Sequence, residues 1–199
     1  MKVIGILGGV ASGKSFVSRA LADLGAGVLD ADRAGHEVLR RPETEAAVRR
    51  RWGDGVFGAD GHVDRSRLAA RVFGESPSAG EDRRCLGQLL HPEIGRRLKQ
   101  EAGRREAAGC PAAVLDAPLL IEAGWDRLCS CLVFVDAPRH LRLARGLARG
   151  WSEKDFAARE GVQESLDFKR KRADVIVDNS GSPEETQAQV ERFWRSHLG

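Results

Sequence analysis

A single stretch near the N-terminus, Gly8-Gly9-Val10-Ala11-Ser12-Gly13-Lys14-Ser15, restricts what this chain can fold into more than anything else in it. It fits the pattern G-x-x-x-x-G-K-[ST], whose glycines let the backbone curl until successive N–H groups face one anion. The chain holds 23 glycines in 199 residues, so the letters alone carry little weight and the context decides. Before the loop, Val3 to Leu7 is a short, β-branched apolar run of the kind that forms a buried parallel strand. After it, Val17, Ala20, Leu21 and Leu24 recur at helical spacing. That order, strand then loop then helix, aims the positive end of a helix dipole at a phosphate. Lys14 is then expected to bridge the β- and γ-phosphates, and the Ser15 hydroxyl to ligate Mg2+. The loop is expected to bind a nucleoside triphosphate. A secretory leader running from Lys2 through Val3–Ala11 is the competing reading. The glycine pair, the early Lys14 and the lack of a small-residue cleavage site argue against it.

Length and charge narrow the class. A chain of 199 residues can bury one substantial core, and no apolar stretch is long enough to span a bilayer. The formal charge of +3 suits anionic small molecules and falls short of a dedicated nucleic-acid binder. Neither a nucleic-acid nor a membrane partner is therefore expected. The runs Arg49–Arg51 and Lys169–Arg172 read first as solvated helix faces. Cys85, Cys110, Cys129 and Cys131 show no metal-like spacing with the five histidines. They are expected to be reduced thiols in a cytoplasmic protein.

In chain order, Gly25-Ala26-Gly27 reads as a helix stop and Val28-Leu29 as a second strand ending in Asp30-Ala31-Asp32. Acids just past a strand end sit where open α/β sheets bind ligands, as a base or a metal contact. An N-cap for the next helix is the structural alternative. From Ala34 to about Gly109 the pattern is mostly helical, broken at Pro42, at Gly53 to Gly61 and at Pro77 to Gly80. Leu89-Leu90-His91-Pro92 reads as the end of one helix and the start of another. A third strand, Ala112–Leu115, ends in Asp116-Ala117-Pro118-Leu119-Leu120-Ile121-Glu122, and a fourth, Leu132–Val135, in Asp136. An acid at the tip of an apolar strand downstream of a phosphate loop is what holding Mg2+ requires. Arg139, Arg142, Arg145, Arg149 and Arg159 then stud a helical pair that could close over a triphosphate. Val175-Ile176-Val177 is a fifth strand, followed by the turn Asp178-Asn179-Ser180-Gly181 and a final helix from Pro183 to Leu198. Strands alternating with helices predict an α/β fold with a five-stranded, parallel, doubly wound sheet.

Among phosphate-loop proteins, a GTPase would need an Asn-Lys-x-Asp guanine reader, and the chain has none. A small-molecule kinase accounts for the loop, the acids Asp32 and Asp116 and the arginine-rich segment together. At these residues the chain resembles the dephospho-CoA kinase family nearly end to end. The resemblance is carried by Gly8-Gly9 leading the loop, Asp30-Ala31-Asp32, Leu90-His91-Pro92 and the Asp116–Glu122 segment. Gln163 and Lys171-Arg172-Ala173-Asp174 add to it. It implies transfer of the γ-phosphate of ATP to the 3′-hydroxyl of dephospho-CoA, with Mg2+, by a cytoplasmic monomer or weak homo-oligomer. It also implies a phosphate-loop kinase fold with a nucleotide-binding core (1–33 and 110–199), a helical substrate-binding insertion (34–109) and a helical lid (about 138–165). A nucleoside or nucleotide kinase with another acceptor, and an ATP-binding regulator without turnover, are the alternatives.

By the same resemblance Asp32 would be the general base, and Lys14 with Arg145 or Arg149 would steady charge on the migrating phosphoryl group. Gly8 through Phe16 and Asn179 would hold ATP, and Ser15 and Asp116 the metal. Asp32, His91, Asp116, Leu119, Leu120 and Glu122 would shape the acceptor pocket. Three positions depart from the family pattern. Ala11 stands where glycine is usual, and Phe16 where threonine or serine is usual. Arg149-Gly150-Trp151-Ser152 is one residue short and lacks an acid after the arginine. Alanine fits the loop at a negative φ and costs more at a positive one.

Overall fold

The computed structural model describes residues 1–74 and 76–198. Five strands, β1 (Lys2–Gly8), β2 (Gly27–Asp30), β3 (Ala112–Asp116), β4 (Cys131–Asp136) and β5 (Val175–Asp178), form one sheet in the order β2-β3-β1-β4-β5. Every pairing is parallel, as the strand-and-helix alternation predicts. β1 is central because its run from Val3 to Gly8 has no solvent face: each of those residues is buried. Helix α1 (Lys14–Asp23) lays Val17, Ala20 and Leu21 on Ile4, Ile6, Val114, Val133 and Val135, and α9 (Pro183–His197) adds Val190 and Phe193. Each of these side chains contributes about 1.5–3 kcal/mol by leaving water. Helix α9 starts where its letters say it should. Ser182 accepts from the Glu185 N–H, the Glu185 carboxylate returns the bond, and Pro183 fills the first turn.

Parallel register brings the strand C-termini to one edge of the sheet, with Asp30 opposite Asp116 and Asp136 opposite Asp178. Four of the five strands therefore end in aspartate, and the middle one ends in the glycine that opens the phosphate loop. A chain folded this way concentrates ligand chemistry at that edge.

The chain separates into two compact units, Met1–Asp30 with Lys99–Gly199, and Ala31–Leu98. The second unit is helical: α2 (Ala31–Leu39), α3 (Pro42–Trp52), α4 (Arg65–Phe73) and the first part of α5 (Ala79–Ala107). Leu39, Val48, Val56, Phe57, Leu68 and Val72 form its core. Asp82 is buried there and paired with Arg51 at 3.0 Å and Arg71 at 3.3 Å. One expectation fails here. Leu89-Leu90-His91-Pro92 does not divide two helices, because α5 runs unbroken through Pro92. Proline inside a helix forfeits one backbone bond and crowds the preceding turn. Ile94 and Leu98, buried on the stretch that follows, hold the helix together beyond it. All four cysteines are free thiols, and burial pushes Cys129 up to about 12, which leaves it unreactive. Among the described residues, no helix is long and apolar enough to cross a membrane.

Candidate active site

The loop between β1 and α1 turns on backbone conformations that side chains resist. Gly8 has φ +147° and Gly13, which caps α1, has φ +101°. A Cβ on Gly13 would lie 2.0 Å from the Asn179 amide nitrogen, so glycine is required there twice over. Ala11 has φ +56°, the left-handed region, and it is the one non-glycine residue to adopt it among the described residues. That conformation costs an alanine about 1–2 kcal/mol. In the first turn of α1 the Phe16 and Val17 N–H groups return to the Gly13 carbonyl, at 2.9 and 3.2 Å, so the N–H groups of Lys14 and Ser15 are the ones the helix start offers to an anion. The Ser12 hydroxyl is buried there without a partner.

Two residues clamp the end of the loop. Asn179, in the turn after β5, donates to the Ser12 carbonyl at 2.7 Å and accepts from Thr186 at 2.9 Å. Arg145 of α6 (Arg139–Leu147) donates to the same Ser12 carbonyl at 3.3 Å and to the Asn179 carbonyl at 2.8 Å. Both fix the Ser12 carbonyl, and with the Ser12 N–H taken by the Gly9 carbonyl at 3.2 Å, the remaining N–H groups of the loop are what it offers an anion. Arg149, two residues beyond α6, is exposed and lies 5.7 Å from the Trp151 ring, which Arg159 also faces at 4.4 Å.

Lys14 donates to the Gly8 and Gly9 carbonyls at 3.2 and 2.8 Å. Desolvation is the main reason its pKa is lowered to about 8, with Lys169, Arg142 and Arg149 adding to the drop and Asp116 partly offsetting it. Because the unfolded value is 10.5, this burial opposes folding below about pH 8 and ceases to do so as pH rises through 10.5. A triphosphate at the loop restores the missing counter-charge and favours the protonated form. MgATP binding at about pH 8.5 should therefore take up a large fraction of a proton, and binding at about pH 6.5 almost none from this group. Calorimetry in two buffers of different ionisation enthalpy reads the difference. The same uptake in Lys14→Arg, which stays charged throughout, would assign the proton elsewhere.

Asp116 ends β3, and its charge acts on Lys14. In the segment that follows, Leu120 is buried and Leu119 half-buried. Glu122 accepts from the Glu164 N–H at 2.7 Å and pairs with Lys169 at 3.0 Å, while its other oxygen is buried without a partner. Lys169, on α8 (Leu166–Arg172), is 2 % exposed and also meets Gln163 at 3.3 Å. The Lys169–Arg172 run is thus a solvated face at three positions and a buried cation at the fourth. Arg142 likewise shows no distinguishing letter in the sequence, yet it is 3 % exposed beneath the loop.

Phe16 lies in the first turn of α1, where its backbone N–H donates to the Gly13 carbonyl at 2.9 Å and its ring packs against the sheet core. Phe16→Thr should lower stability by about 1–2 kcal/mol, less than a fully buried phenylalanine would cost. Denaturant unfolding checks it, and an unchanged midpoint would mean that the ring contributes no packing. Ser15 is exposed at the second residue of α1. Asp32 and His91 belong to the second unit. Asp32 is exposed in the first turn of α2, and His91 sits within α5, where burial keeps its pKa below the usual histidine value.

Comparison with known proteins fits this geometry. A family model described as CoaE, dephospho-CoA kinase, matches residues 2–185. A dephospho-CoA kinase of Symbiobacterium thermophilum is 42 % identical over 204 residues, covering 100 % of this chain and 82 % of that one. The crystal structure of TT1252 from Thermus thermophilus superposes with a TM-score of 0.81 at 34 % identity, covering 100 % of this chain and 98 % of the other. A dephospho-CoA kinase from Campylobacter jejuni, at 22 % identity and a TM-score of 0.72, shares the fold over 100 % of this chain and 98 % of its own.

Proposed function

The chain belongs to the dephospho-CoA kinase family, and on that premise we propose how its residues divide the work. The reaction is transfer of the γ-phosphoryl group of ATP to the 3′-hydroxyl of dephospho-CoA, giving CoA and ADP. The observation that carries the residue roles is the loop itself: its Gly9 carbonyl is tied back by Lys14 and its Ser12 carbonyl by Arg145 and Asn179, and its N–H face is left to an anion.

In this reading Gly8 through Phe16 wrap the triphosphate with backbone N–H groups and the dipole of α1. Lys14 reaches the β- and γ-phosphates and steadies charge as it spreads over the transferring group. Of the two arginines, Arg145 contributes through the Ser12 and Asn179 carbonyls it holds, and Arg149, solvent-facing and electrostatically coupled to Lys14, swings onto the phosphoryl oxygens. Asn179 supports the ATP site through the Ser12 carbonyl. Asp32 takes the proton of the 3′-hydroxyl as the new ester bond forms. As acceptor-binding residues we propose Asp116, Leu119, Leu120 and Glu122 in the sheet unit and Asp32 and His91 in the helical unit, with residues 34–109 receiving the pantetheine-bearing substrate.

The donor set near Lys14 suits Mg2+. Ser15 offers a hydroxyl and Asp116 a carboxylate, both hard oxygen ligands, and Mg2+ needs only one or two protein oxygens beside phosphate and water. When bound, Mg2+ neutralises charge on the β- and γ-phosphates. Four free thiols suit a reducing compartment, so we place the protein in the cytoplasm, and by the family resemblance it works as a monomer or weak homo-oligomer. Neither nucleic acid nor membrane is a partner in this reading.

ADP release from MgATP, with dephospho-CoA set against AMP, adenosine, pantothenate and no acceptor, tests the assignment. Release with dephospho-CoA alone is expected. Turnover with a different acceptor would overturn the substrate and leave a kinase.

A further inference from the structure

The geometry points to Arg142 on α6 and Phe156 on α7 (Glu153–Glu160) as positioning residues that hold the apex of the phosphate loop in its nucleotide-binding shape. The inference rests on the reading that this loop binds ATP, and neither residue has a role in that reading.

Three observations converge on Gly9-Val10-Ala11. First, Ala11 holds a left-handed backbone that glycine adopts freely and alanine does not. A residue in such a conformation persists only where its surroundings over-determine it. Second, the surroundings are specific. Val10 and Ala11 pack with Phe156, itself 0 % exposed, in a small apolar cluster edged by Leu143 and Trp151. Third, Arg142 fixes the backbone beside that cluster. Its guanidinium donates to the Val10 carbonyl at 3.3 Å, to Glu160 at 2.7 Å and to the Ala137 carbonyl at 3.1 Å. It also fills the space over Gly9, where a Cβ would come within 2.7 Å of it.

The apex is thus gripped on its carbonyl side by Arg142 and on its side-chain side by Phe156, and the N–H side is left for phosphate. A glycine loop would reach this shape with little help. The alanine loop needs the brace, so the α6–α7 hairpin acts as a template for the loop as well as a cover. Phe156 touches neither ATP nor acceptor in this account, and acts only through Val10 and Ala11.

The test is a double-substitution cycle read by ATP binding and by the split of kcat from KM. Phe156→Leu should weaken ATP about ten-fold, leaving kcat at saturating ATP and KM for dephospho-CoA within about two-fold. Combined with Ala11→Gly, the same Phe156 change should weaken ATP by less than about two-fold, because glycine needs no brace. Equal weakening in both backgrounds would overturn the brace and leave Phe156 as ordinary core. Phe156→Met, closer in volume, must follow the same order, and it decides the matter if the leucine variant fails to fold. ATP binding is measured without acceptor, so the cycle reads the brace even if dephospho-CoA proves to be the wrong substrate.

Discussion

Replacing Asp32 with asparagine should leave ATP binding unchanged and lower kcat by about two to four orders of magnitude, the range for losing a general base. Asparagine keeps the shape of the side chain and its ability to accept a hydrogen bond from the ribose hydroxyl, but it cannot take the proton. Asp32 is exposed in the first turn of α2 and packs into no core, so the change should leave the fold alone. Steady-state rates at saturating dephospho-CoA, beside a calorimetric ATP affinity, separate the two effects. A near-normal kcat would remove Asp32 from the role of base.

The second large effect is expected at Lys14. Lys14→Ala removes a cation from the transferring phosphoryl group, worth about 10²–10³ in kcat by analogy with the loss of one transition-state donor. It also removes the contacts to the Gly8 and Gly9 carbonyls, so the loop should hold ATP less tightly as well. Both kcat and the ATP affinity must fall, as measured by initial rates and by calorimetry. If either survives intact, the loop does not hold the triphosphate as argued.

The sheet was legible because its strands are apolar runs with a clear end: β3 and β4 each stop at an aspartate after four buried residues, and β5 stops at one although its Ile176 is exposed. The phosphate loop was legible because its spacing and its strand–helix context agree. The arginines of α6 were not. Arg139, Arg142, Arg145 and Arg149 are three or four residues apart on one helix and just beyond it, and periodicity places them on one side without ranking them. Only packing shows that Arg142 turns under the loop, that Arg145 grips two carbonyls and that Arg149 stays in solvent. Lys169 was hidden for a related reason. Arg170, Lys171 and Arg172 are exposed neighbours with the same charge, and its partner Glu122 lies 47 positions earlier. Pro92 misled because a lost hydrogen bond is local, whereas the burial of Ile94 and Leu98 that sustains the helix is tertiary. Ala11 showed in the sequence only as a departure, and its positive φ is a property of the folded loop.

Phosphorylation of the ribose 3′-hydroxyl of dephospho-CoA leaves a distinct phosphorus signature. Phosphorus NMR of the product formed from MgATP and dephospho-CoA tests it most directly. One new phosphomonoester, coupled to the ribose 3′ proton, is expected, with the existing diphosphate unchanged. A phosphate on the 2′ oxygen or on the pantetheine, or ATP hydrolysis with dephospho-CoA recovered intact, would contradict it.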